Sequence, residues 1–350
     1  MLWLASDEAR YVTGIPIPVE GGMLQVPIVC RPRDAVRVRL STDLAHAALG
    51  RARLIHVAPE PSSALNVANV LVPLDGSELA LQAMPTARVL AQRFNATLST
   101  VTVADGEADT DRARAYAAAA LGVDHGDDRV HVLSEGEPAE VITRRAAALS
   151  GCIVCMATHG RGRLGGALVG SVARGVVQKS DSPVVTLGPS ADNPGWSPRP
   201  RNWPEPLTVA RIVACVDGST ASEQVLPFAA VWAEALDMSL TVLTVIVDAP
   251  TPLRLDHTPG PFGPHGNAEA YVDHLVQQWQ TRISRIDGVV VRDPIGPASG
   301  MRAHLDEHPA GLVALTTHAR SGLQRALLGA TAASIVHSSV APCLVAPVRT

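Results

Sequence analysis

The chain carries the same sequence landmarks twice in the same order, and this duplication restricts the fold more than any other feature. A β-branched run that ends in Asp-Gly-Ser contains Asp75, and a second such run contains Asp217. An apolar run with a histidine and a later glycine, Gly170, recurs with Gly329. Such self-similarity indicates two copies of one module. The interval between the two landmarks is longer in the second copy, and its extra residues are predicted to lie in the proline- and glycine-rich segment 249–266, as an exposed loop or lid.

Strand and helix patterns alternate along the first copy. Short apolar or β-branched runs predict strands, and apolar residues at helical spacing predict helices between them. The predicted strands are 69–74, 97–104, 130–133, 152–156 and 183–187, and the predicted helices are 78–94, 111–121, 136–148 and one that begins at Ser171. This alternation is typical of parallel sheets with right-handed crossovers. We therefore expect an α/β protein with two tandem, doubly wound parallel sheets of five strands each.

Composition divides the chain into four parts. We predict an N-terminal extension at 1–62, a first module at 63–190, a linker with five prolines at 191–207 and a second module at 208–350. Apolar strand-like and charged stretches in 26–62 predict one or two strands and a short helix, without an assigned function.

The segment 1–25 has a pattern of its own. It contains Leu-Ala-Ser-Asp-Glu-Ala-Arg-Tyr-Val-Thr-Gly, which is similar to the C-terminal tail of short-chain dehydrogenases. The glycine fingerprint and the Tyr-x3-Lys of that family are missing, so we expect no catalytic role for Tyr11. In that family this tail ends in a strand that joins a sheet, and the rest of that sheet is missing here. We therefore predict that residues 1–25 are poorly packed or added to a sheet edge.

The stretch with the clearest chemistry follows the fourth predicted strand. Glycines come after 152–156, and Gly170-Ser171 then begins an amphipathic helix. The N–H groups of a first helical turn attract anions, and glycine lets phosphate oxygens approach the backbone. Asp75, at the end of the first strand, would face the same crevice and could accept hydrogen bonds from ribose or adenine. Taken singly, the glycines could be tight turns and the Asp-Gly-Ser only a turn; their pairing favours phosphate binding.

A known pattern covers this loop. Ala157-Thr158-His159-Gly160, nine further residues and Gly170-Ser171 closely resemble the nucleotide loop of universal stress proteins, Gly-x2-Gly-x9-Gly-Ser/Thr. Ala157 stands for the first glycine, which a backbone contact tolerates if its φ is negative. The resemblance covers roughly 67–189 and 209–348 and implies that the chain binds ATP together with Mg²⁺.

The same resemblance assigns the binding residues of each module. In the first module it implies contacts to adenine and ribose from Pro73, Leu74, Asp75, Val103 and Met156, and to the phosphates from Ala157, Gly160, Gly170, Ser171 and Val172. The matching positions in the second module are Val216, Asp217, Val245, Leu315, Thr316, Ala319, Gly329 and Ala330. Because Ala319 replaces the loop glycine and Ala330 the hydroxyl residue, we expect the first site to bind ATP more tightly.

Composition excludes several other classes of function. The net charge of −4, with arginines scattered among acids, argues against nucleic-acid binding. The longest apolar region is interrupted by Glu234 and Asp237, and the N-terminus lacks a signal-peptide pattern, so we expect no membrane span and a cytoplasmic protein. Five irregularly spaced cysteines also suit a reducing compartment. Cys152 and Cys155 form a CxxC inside a predicted strand, which favours core packing over redox chemistry.

Other constellations leave alternatives open. Gly160 to Gly165 matches GxGxxG, but only one strand follows it, so NAD binding is disfavoured. His159 and His318 suggest a local structural or phosphate-proximal role and no metal site. Arg161 and Arg163 suit either phosphate contacts or solvated loop charges.

The sequence therefore predicts a regulatory ATP-binding protein whose nucleotide occupancy shifts a conformational or association equilibrium, without a dedicated catalytic apparatus, since a Walker lysine and a clear base are missing. The alternatives are a slow Mg-ATP hydrolase, a dehydrogenase activity inherited from the N-terminal segment and a nucleotide-independent interaction module. The segments 183–188 and 342–347 resemble the dimerising edge strands of the family, which predicts that the halves pair as an internal pseudo-dimer and that the chain could form a homodimer.

Overall fold

The computed structural model describes residues 12–19, 22–29, 66–104, 106–158, 169–189, 210–247, 262, 265–316 and 329–348. The chain divides into two units, Met1–Ser62 and Ser63–Thr350. The first unit contains an antiparallel hairpin of β1 (Val12–Val19) and β2 (Gly22–Val29). The N-terminal segment thus pairs with itself, where the sequence suggested poor packing or an edge strand. The short helix expected in 26–62 lies outside the described residues.

The second unit contains both predicted modules as alternating strands and helices. The first module comprises β3 (Asn69–Pro73), α1 (Glu78–Leu81), α2 (Ala83–Phe94), β4 (Thr97–Val103), α3 (Glu107–Leu121), β5 (Val130–Leu133), α4 (Pro138–Ala147), β6 (Cys152–Ala157), α5 (Ser171–Lys179) and β7 (Val184–Leu187). The second comprises β8 (Arg211–Cys215), α6 (Thr220–Glu223), α7 (Val225–Leu236), β9 (Ser239–Val247), α8 (Ala268–Trp279), β10 (Ile286–Asp293), α9 (Pro297–Glu307), β11 (Leu312–Thr316), α10 (Ala330–Ser338) and β12 (Cys343–Ala346). The predicted α/β class is confirmed.

The ten strands described for this unit form one sheet, in the order β10-β9-β8-β11-β12-β7-β6-β3-β4-β5, and not the two separate five-stranded sheets that the sequence predicts. Pairing is parallel within each half, and β12 pairs antiparallel with β7, with Val345 opposite Val184. The final strands of the two modules therefore pair with each other, as the sequence predicts, and this pairing joins the two halves. In each half the strand order reverses beside the first strand, β3 or β8, and such a switch point opens a crevice at the carboxyl ends of the strands.

Local sequence explains where the first helices begin and end. Ser77 Oγ accepts a hydrogen bond from the Ala80 backbone N–H (3.2 Å) and so caps α1. The helix predicted over 78–94 is divided at Gln82 into α1 and α2. Asn95 ends α2 in the left-handed conformation, with φ 52°, and Asp237 ends α7 in the same way, with φ 56°. Asparagine and aspartate are the non-glycine residues that adopt this conformation most readily.

The core lies on both faces of the sheet and contains the cysteine pair. Cys152 and Cys155 are buried in β6 as free thiols. Burial raises the pKa of the Cys152 thiol to about 12 and also raises that of Cys155. A reactive cysteine needs a stabilised thiolate, so the prediction that this CxxC is core packing is confirmed.

The register of the strands locates the extra residues of the second module. Val103 pairs with Leu133 in the first module, and Val245 pairs with Val291 in the second, so the chain between equivalent strand positions is longer in the second copy. The insertion therefore lies between β9 and β10, where the sequence placed it. Most of the segment 249–266, which the sequence predicts to be a loop or lid, lies outside the described residues. The linker predicted at 191–207 also lies outside them. Among the residues that are described, none of the helices has the length and apolar character needed to cross a bilayer.

Candidate functional site

The turn that follows β3 fixes the carboxylate of Asp75 at the carboxyl edge of the sheet. Asp75 Oδ1 accepts hydrogen bonds from the Ser77 backbone N–H (3.0 Å) and from Ser77 Oγ (2.6 Å). Gly76 has φ 84°, a conformation that glycine adopts without strain. The half-buried carboxylate is therefore held in one position by its own turn, and this local role exists whether or not a ligand binds.

The second module repeats this turn in side-chain detail. Asp217 Oδ1 accepts from the Ser219 N–H (3.0 Å) and from Ser219 Oγ (2.6 Å), and Gly218 has φ 86°. The second turn has one addition. Ser222 Oγ accepts from the Asp217 backbone N–H (3.1 Å) and donates to the Ser219 carbonyl (2.8 Å), whereas Ala80 stands at the equivalent place in the first module.

The phosphate side of the first module lies at the start of α5. The Gly170 N–H donates to the Thr158 carbonyl (2.8 Å), and the Thr158 N–H donates to the Leu187 carbonyl (2.9 Å), so the start of the helix is tied to the ends of β6 and β7. Gly170, the residue before α5, has no side chain to cap the helix. Its first-turn N–H groups therefore provide a site that suits an anion.

The predicted residues of the first module lie around this edge. Pro73 ends β3 and Leu74 follows it, and both are buried. Val103 ends β4 and is half-buried, and Met156 is buried near the end of β6. Further predicted members are placed at the end of β6 and the start of α5: Ala157, Gly170, Ser171 and Val172. Among the described non-glycine residues only Asn95 and Asp237 have a positive φ, so Ala157 meets the condition for replacing glycine. Gly160, His159, Arg161 and Arg163 lie outside the described residues.

The second module has a cavity of about 780 Å³ at its carboxyl edge. Four predicted residues line it, Asp217, Val245, Thr316 and Gly329, together with the matching positions Val216, Leu315 and Ala330. Gly329 precedes α10 with φ −57°, which any residue adopts, and a Cβ placed on it would meet no atom of the described residues within 4 Å. Neither the backbone nor packing against the described residues therefore requires glycine there. Ala319 and His318 lie outside the described residues.

The cavity also has lining residues that the sequence did not reveal: Ser222, Phe262, Asn267, Glu269, Arg292 and Met301. Asn267 caps α8, since its Oδ1 accepts from the Ala270 N–H (2.8 Å). An asparagine before a helical pattern is a readable capping signal. The others have no sequence signal because their approach to the cavity depends on strand length and helix placement.

Two charged side chains meet at the wall of the cavity. Arg292 Nη2 donates to Glu269 Oε1 at 2.7 Å, and both side chains are about half exposed. The pKa of Glu269 lies below its usual value because the carboxylate accepts its own backbone N–H at the start of α8 and is paired with Arg292. The carboxylate is therefore ionised at neutral pH, and the wall carries a hydrogen-bond acceptor beside a donor.

Tyrosines brace the helices behind both sites. Tyr116 Oη on α3 donates to the Ser77 carbonyl (2.7 Å), and Tyr271 Oη on α8 donates to Glu223 Oε1 (3.1 Å). Burial and the Glu223 charge raise the pKa of Tyr271, which keeps the phenol protonated. Phe262 packs against Tyr271 with ring centroids 5.5 Å apart, so the aromatic ring on the cavity wall has a fixed support.

Comparison with known families matches both halves of the ten-stranded sheet. The model of the universal stress protein family matches residues 66–187 and 208–347. The chain belongs to the universal stress protein family. This confirms the resemblance that the glycine loop suggested and its occurrence in tandem.

Solved structures share the fold. A universal stress protein from Archaeoglobus fulgidus DSM 4304 is 16% identical with a TM-score of 0.55, over 82% of this chain and 99% of its own. A functionally unknown protein from Pseudomonas aeruginosa PAO1 is 17% identical with a TM-score of 0.53, over 82% of this chain and 95% of its own. A Pseudomonas aeruginosa UCBPP-PA14 protein has the same identity and coverage with a TM-score of 0.54. No curated protein matches the sequence.

Proposed function

We propose that this universal stress protein binds adenine nucleotides, namely ATP with Mg²⁺ carried by its phosphates, at the carboxyl edge of each module. The observation that carries the proposal is the cavity of about 780 Å³ in the second module, which Asp217, Thr316 and Gly329 line. These residues come from different strands and a helix start, and they meet because the strand order reverses at β8. The volume falls in the range of small-molecule pockets.

The phosphate end would lie at the start of α10 in the second module and of α5 in the first. Both helices begin after a glycine, which has no side chain to cap them. Among the described residues there is open space beside Gly329, which lets a ligand approach the backbone closely. Backbone N–H groups and the helix dipole both favour an anionic ligand at this point.

The ribose and base would lie along the strand ends. Asp75 and Asp217 present carboxylates that are positioned by their own turns and suit ribose hydroxyls or the adenine amino group. Val103 in β4 and Val245 in β9 occupy equivalent positions. Val245 lines the cavity, and both side chains would offer apolar contact to a base. The duplicated geometry is the basis for proposing two sites.

The two sites would differ in strength for ATP. Ser171 offers a hydroxyl at the start of α5, and Ala330 has none at the start of α10, although Thr331 follows it and lines the cavity. If the loop requires a left-handed residue at Ala319, where the first module has Gly160, the cost is about 1–2 kcal/mol, or roughly tenfold in affinity. We propose that ATP binds more tightly to the first site.

We further propose that occupancy shifts an association equilibrium between copies of the chain, beyond the pairing of β7 with β12 inside it, and that the protein works in the cytoplasm. The four cysteines among the described residues are free and buried, which suits a reducing compartment. The proposal concerns binding, and we assign no catalytic residue.

Acid extraction of the purified full chain tests the proposal. Wild type and the variants Gly170→Glu, Gly329→Glu and Gly126→Glu are equilibrated with Mg-ATP, separated from free ligand and extracted. Gly126 is the matched control, because it is exposed and a Cβ there would meet no atom within 4 Å. We expect ATP from wild type and the control and much less from Gly170→Glu. Release of NAD(H), or no retained nucleotide from wild type, would contradict the proposal.

A further inference from the structure

The peptide unit that leads into Asp217 is held by two hydroxyl groups. Its carbonyl, which belongs to Val216, accepts a hydrogen bond from Thr244 Oγ1 on β9 (2.9 Å). Its N–H, which belongs to Asp217, donates to Ser222 Oγ on α6 (3.1 Å). Thr244 and Ser222 are buried, so water does not compete for these bonds. The plane of this peptide is therefore fixed from both sides.

The first module has neither of these contacts at the equivalent peptide unit, which leads into Asp75. Ala80 stands where the second module has Ser222, and it has no hydroxyl group. Thr102 stands where the second module has Thr244, but its buried hydroxyl has no hydrogen-bond partner among the described residues. The two aspartate carboxylates accept the same turn bonds, so the modules differ in how firmly the main chain before the aspartate is held.

The sheet order places Asp217 at the middle of the cavity. The helix start at Gly329 comes after β11, Val245 lies on β9, and both residues line the cavity. Asp217 follows β8, which lies between β11 and β9. Adjacent strands are about 4.8 Å apart, so one strand spacing separates Asp217 from the end of either neighbour. In a nucleotide with its phosphates at the helix start and its base at Val245, the sugar lies between them and faces Asp217.

A carboxylate in this position suits the 2′ and 3′ hydroxyl groups of a ribose. Both hydroxyls are donors, and hydrogen bonds to a carboxylate are stronger than those between neutral groups. We infer that Ser222 and Thr244 are positioning residues that hold Asp217 in place for the ribose. The second site then selects ribonucleotides over nucleotides without these hydroxyls more strictly than the first site does. This inference rests on the proposed nucleotide function and adds to it the part of the ligand that the second site selects.

A fixed acceptor gives more selectivity than a mobile one. When the turn is already held, binding of the ribose does not have to order it, so the hydroxyl contacts contribute their full strength to affinity. A nucleotide without the hydroxyls leaves the fixed carboxylate facing the sugar without a donor, and a turn that can adjust reduces this penalty. The selectivity concerns the sugar, whereas the tighter ATP binding proposed for the first site concerns the phosphate end. The two sites therefore differ at separate parts of the ligand.

Titration calorimetry of the full chain with ATP and with 2′,3′-dideoxy-ATP, in Mg²⁺, tests the inference without a label on the sugar. The Gly170→Glu variant weakens the first site and reports on the second, and Gly329→Glu does the reverse. We expect dideoxy-ATP to bind at least about tenfold more weakly than ATP at the second site, with a smaller ratio at the first. Adding Ser222→Ala or Thr244→Val to Gly170→Glu should lower this ratio by weakening ATP alone, whereas general damage to the site would weaken both nucleotides.

Matched substitutions in the first module provide the controls. Thr102→Val removes a hydroxyl that has no partner among the described residues, so it should leave the ratio of the first site unchanged in the Gly329→Glu background. Ala80→Ser introduces the hydroxyl that Ser222 supplies in the second module, and it should raise that ratio.

Three results would overturn the inference while leaving the proposed nucleotide function intact. They are equal ratios at the two sites, dideoxy-ATP binding as tightly as ATP at the second site, and a ratio that survives both Ser222→Ala and Thr244→Val. If wild type binds neither nucleotide, the proposed function fails and the inference fails with it.

Discussion

The two modules keep the same main chain at the switch point and differ in the strand pair beside it, β4–β5 in the first module and β9–β10 in the second. The turns at Asp75 and Asp217 have carboxylate hydrogen bonds of the same lengths, and Gly170 and Gly329 have nearly the same backbone angles. Divergence is concentrated in the longer β9–β10 pairing and the insertion before α8. Duplication therefore preserved the turns and helix starts at the switch point and left the neighbouring strand pair free to change.

The modules also differ in the size of one buried side chain on the second helix of each module, α2 or α7. Leu90 on α2 and Trp232 on α7 occupy equivalent positions, and both are fully buried. The Trp232 ring packs against Phe94 of the first module, with ring centroids 5.1 Å apart. The larger residue thus belongs to the core of one half and to the contact between the halves.

Truncation of these two residues should give the largest effect. Trp232→Ala is expected to lower the free energy of unfolding by about 3–5 kcal/mol, since it opens a core cavity and removes the contact with Phe94. Leu90→Ala should cost less, at the lower end of about 2–5 kcal/mol. Denaturant unfolding of the full chain measures both, with Trp232→Phe as the conservative control. Equal losses for Trp232→Ala and Leu90→Ala would mean that the aromatic contact adds nothing.

A smaller effect is expected at the junction of the halves. A Cβ on Gly188 would lie 2.4 Å from the Val336 carbonyl oxygen of α10, so Gly188→Ala forces the end of the first module away from that helix. We expect a loss of about 1–3 kcal/mol. Gly329→Ala is the matched substitution in open space and should change stability by less than about 0.5 kcal/mol. Thermal unfolding of the two variants checks this; similar losses would show that the approach of α10 to Gly188 is not constrained.

Much of this architecture could be predicted from the sequence. The apolar runs predicted both ends of β5 correctly, and the predicted ends of the other first-module strands agree with the structure to within about one residue. The break at Gln82 was missed because the apolar spacing continues through it. Helix α3 begins four residues earlier than predicted, at Glu107, because Gly106 precedes it with φ 92° and no side chain caps it. Glycine lacks the side-chain oxygen that makes a helix start readable.

The candidate site was predictable where backbone chemistry dictates sequence. The places of Asp75 in a tight turn and of Gly170 at a helix start could be predicted, because both features restrict residue type. Glu269 and Arg292 were not found, because an arginine near the end of a strand reaches a cavity only through the register of β9 with β10. That register depends on contacts far apart in sequence, which a motif does not encode.

The modules also differ at one polar position of the helix that precedes the fourth strand, which is α4 in the first module and α9 in the second. Arg145 Nη2 lies 2.9 Å from His131 Nε2 in the first module. His304 takes the equivalent place in the second and stacks on His308, with ring centroids 4.7 Å apart. Among the described residues, no hydrogen-bond partner is found for His304 Nε2. The second module therefore buries a neutral imidazole where the first has a half-buried guanidinium.

The third prediction, with the smallest effect, concerns acid stability. Burial lowers the pKa of His304 below 6.5, helped by His308 and Arg211 and opposed by Glu307 and Asp287. Below pH 6.5 the unfolded chain therefore gains a proton that the folded chain resists, so stability falls as the pH drops. We expect His304→Gln to reduce the loss of stability between about pH 7.5 and 5.5.

Denaturation midpoints at the two pH values measure this effect. Because His131 also has a pKa lowered by burial and by Arg145, His131→Gln reports the share of the first module. His125→Gln, at an exposed position, is the control and should leave the pH dependence unchanged. An unaltered dependence in His304→Gln would contradict the predicted fall in stability with acid.

Titration of ATP into the full chain in Mg²⁺ tests the central claim of two related but unequal sites most directly. We predict two classes of site in wild type, with the tighter class removed by Gly170→Glu and retained in Gly329→Glu. Two equal sites, occupancy of the second module alone, or no binding would contradict the account.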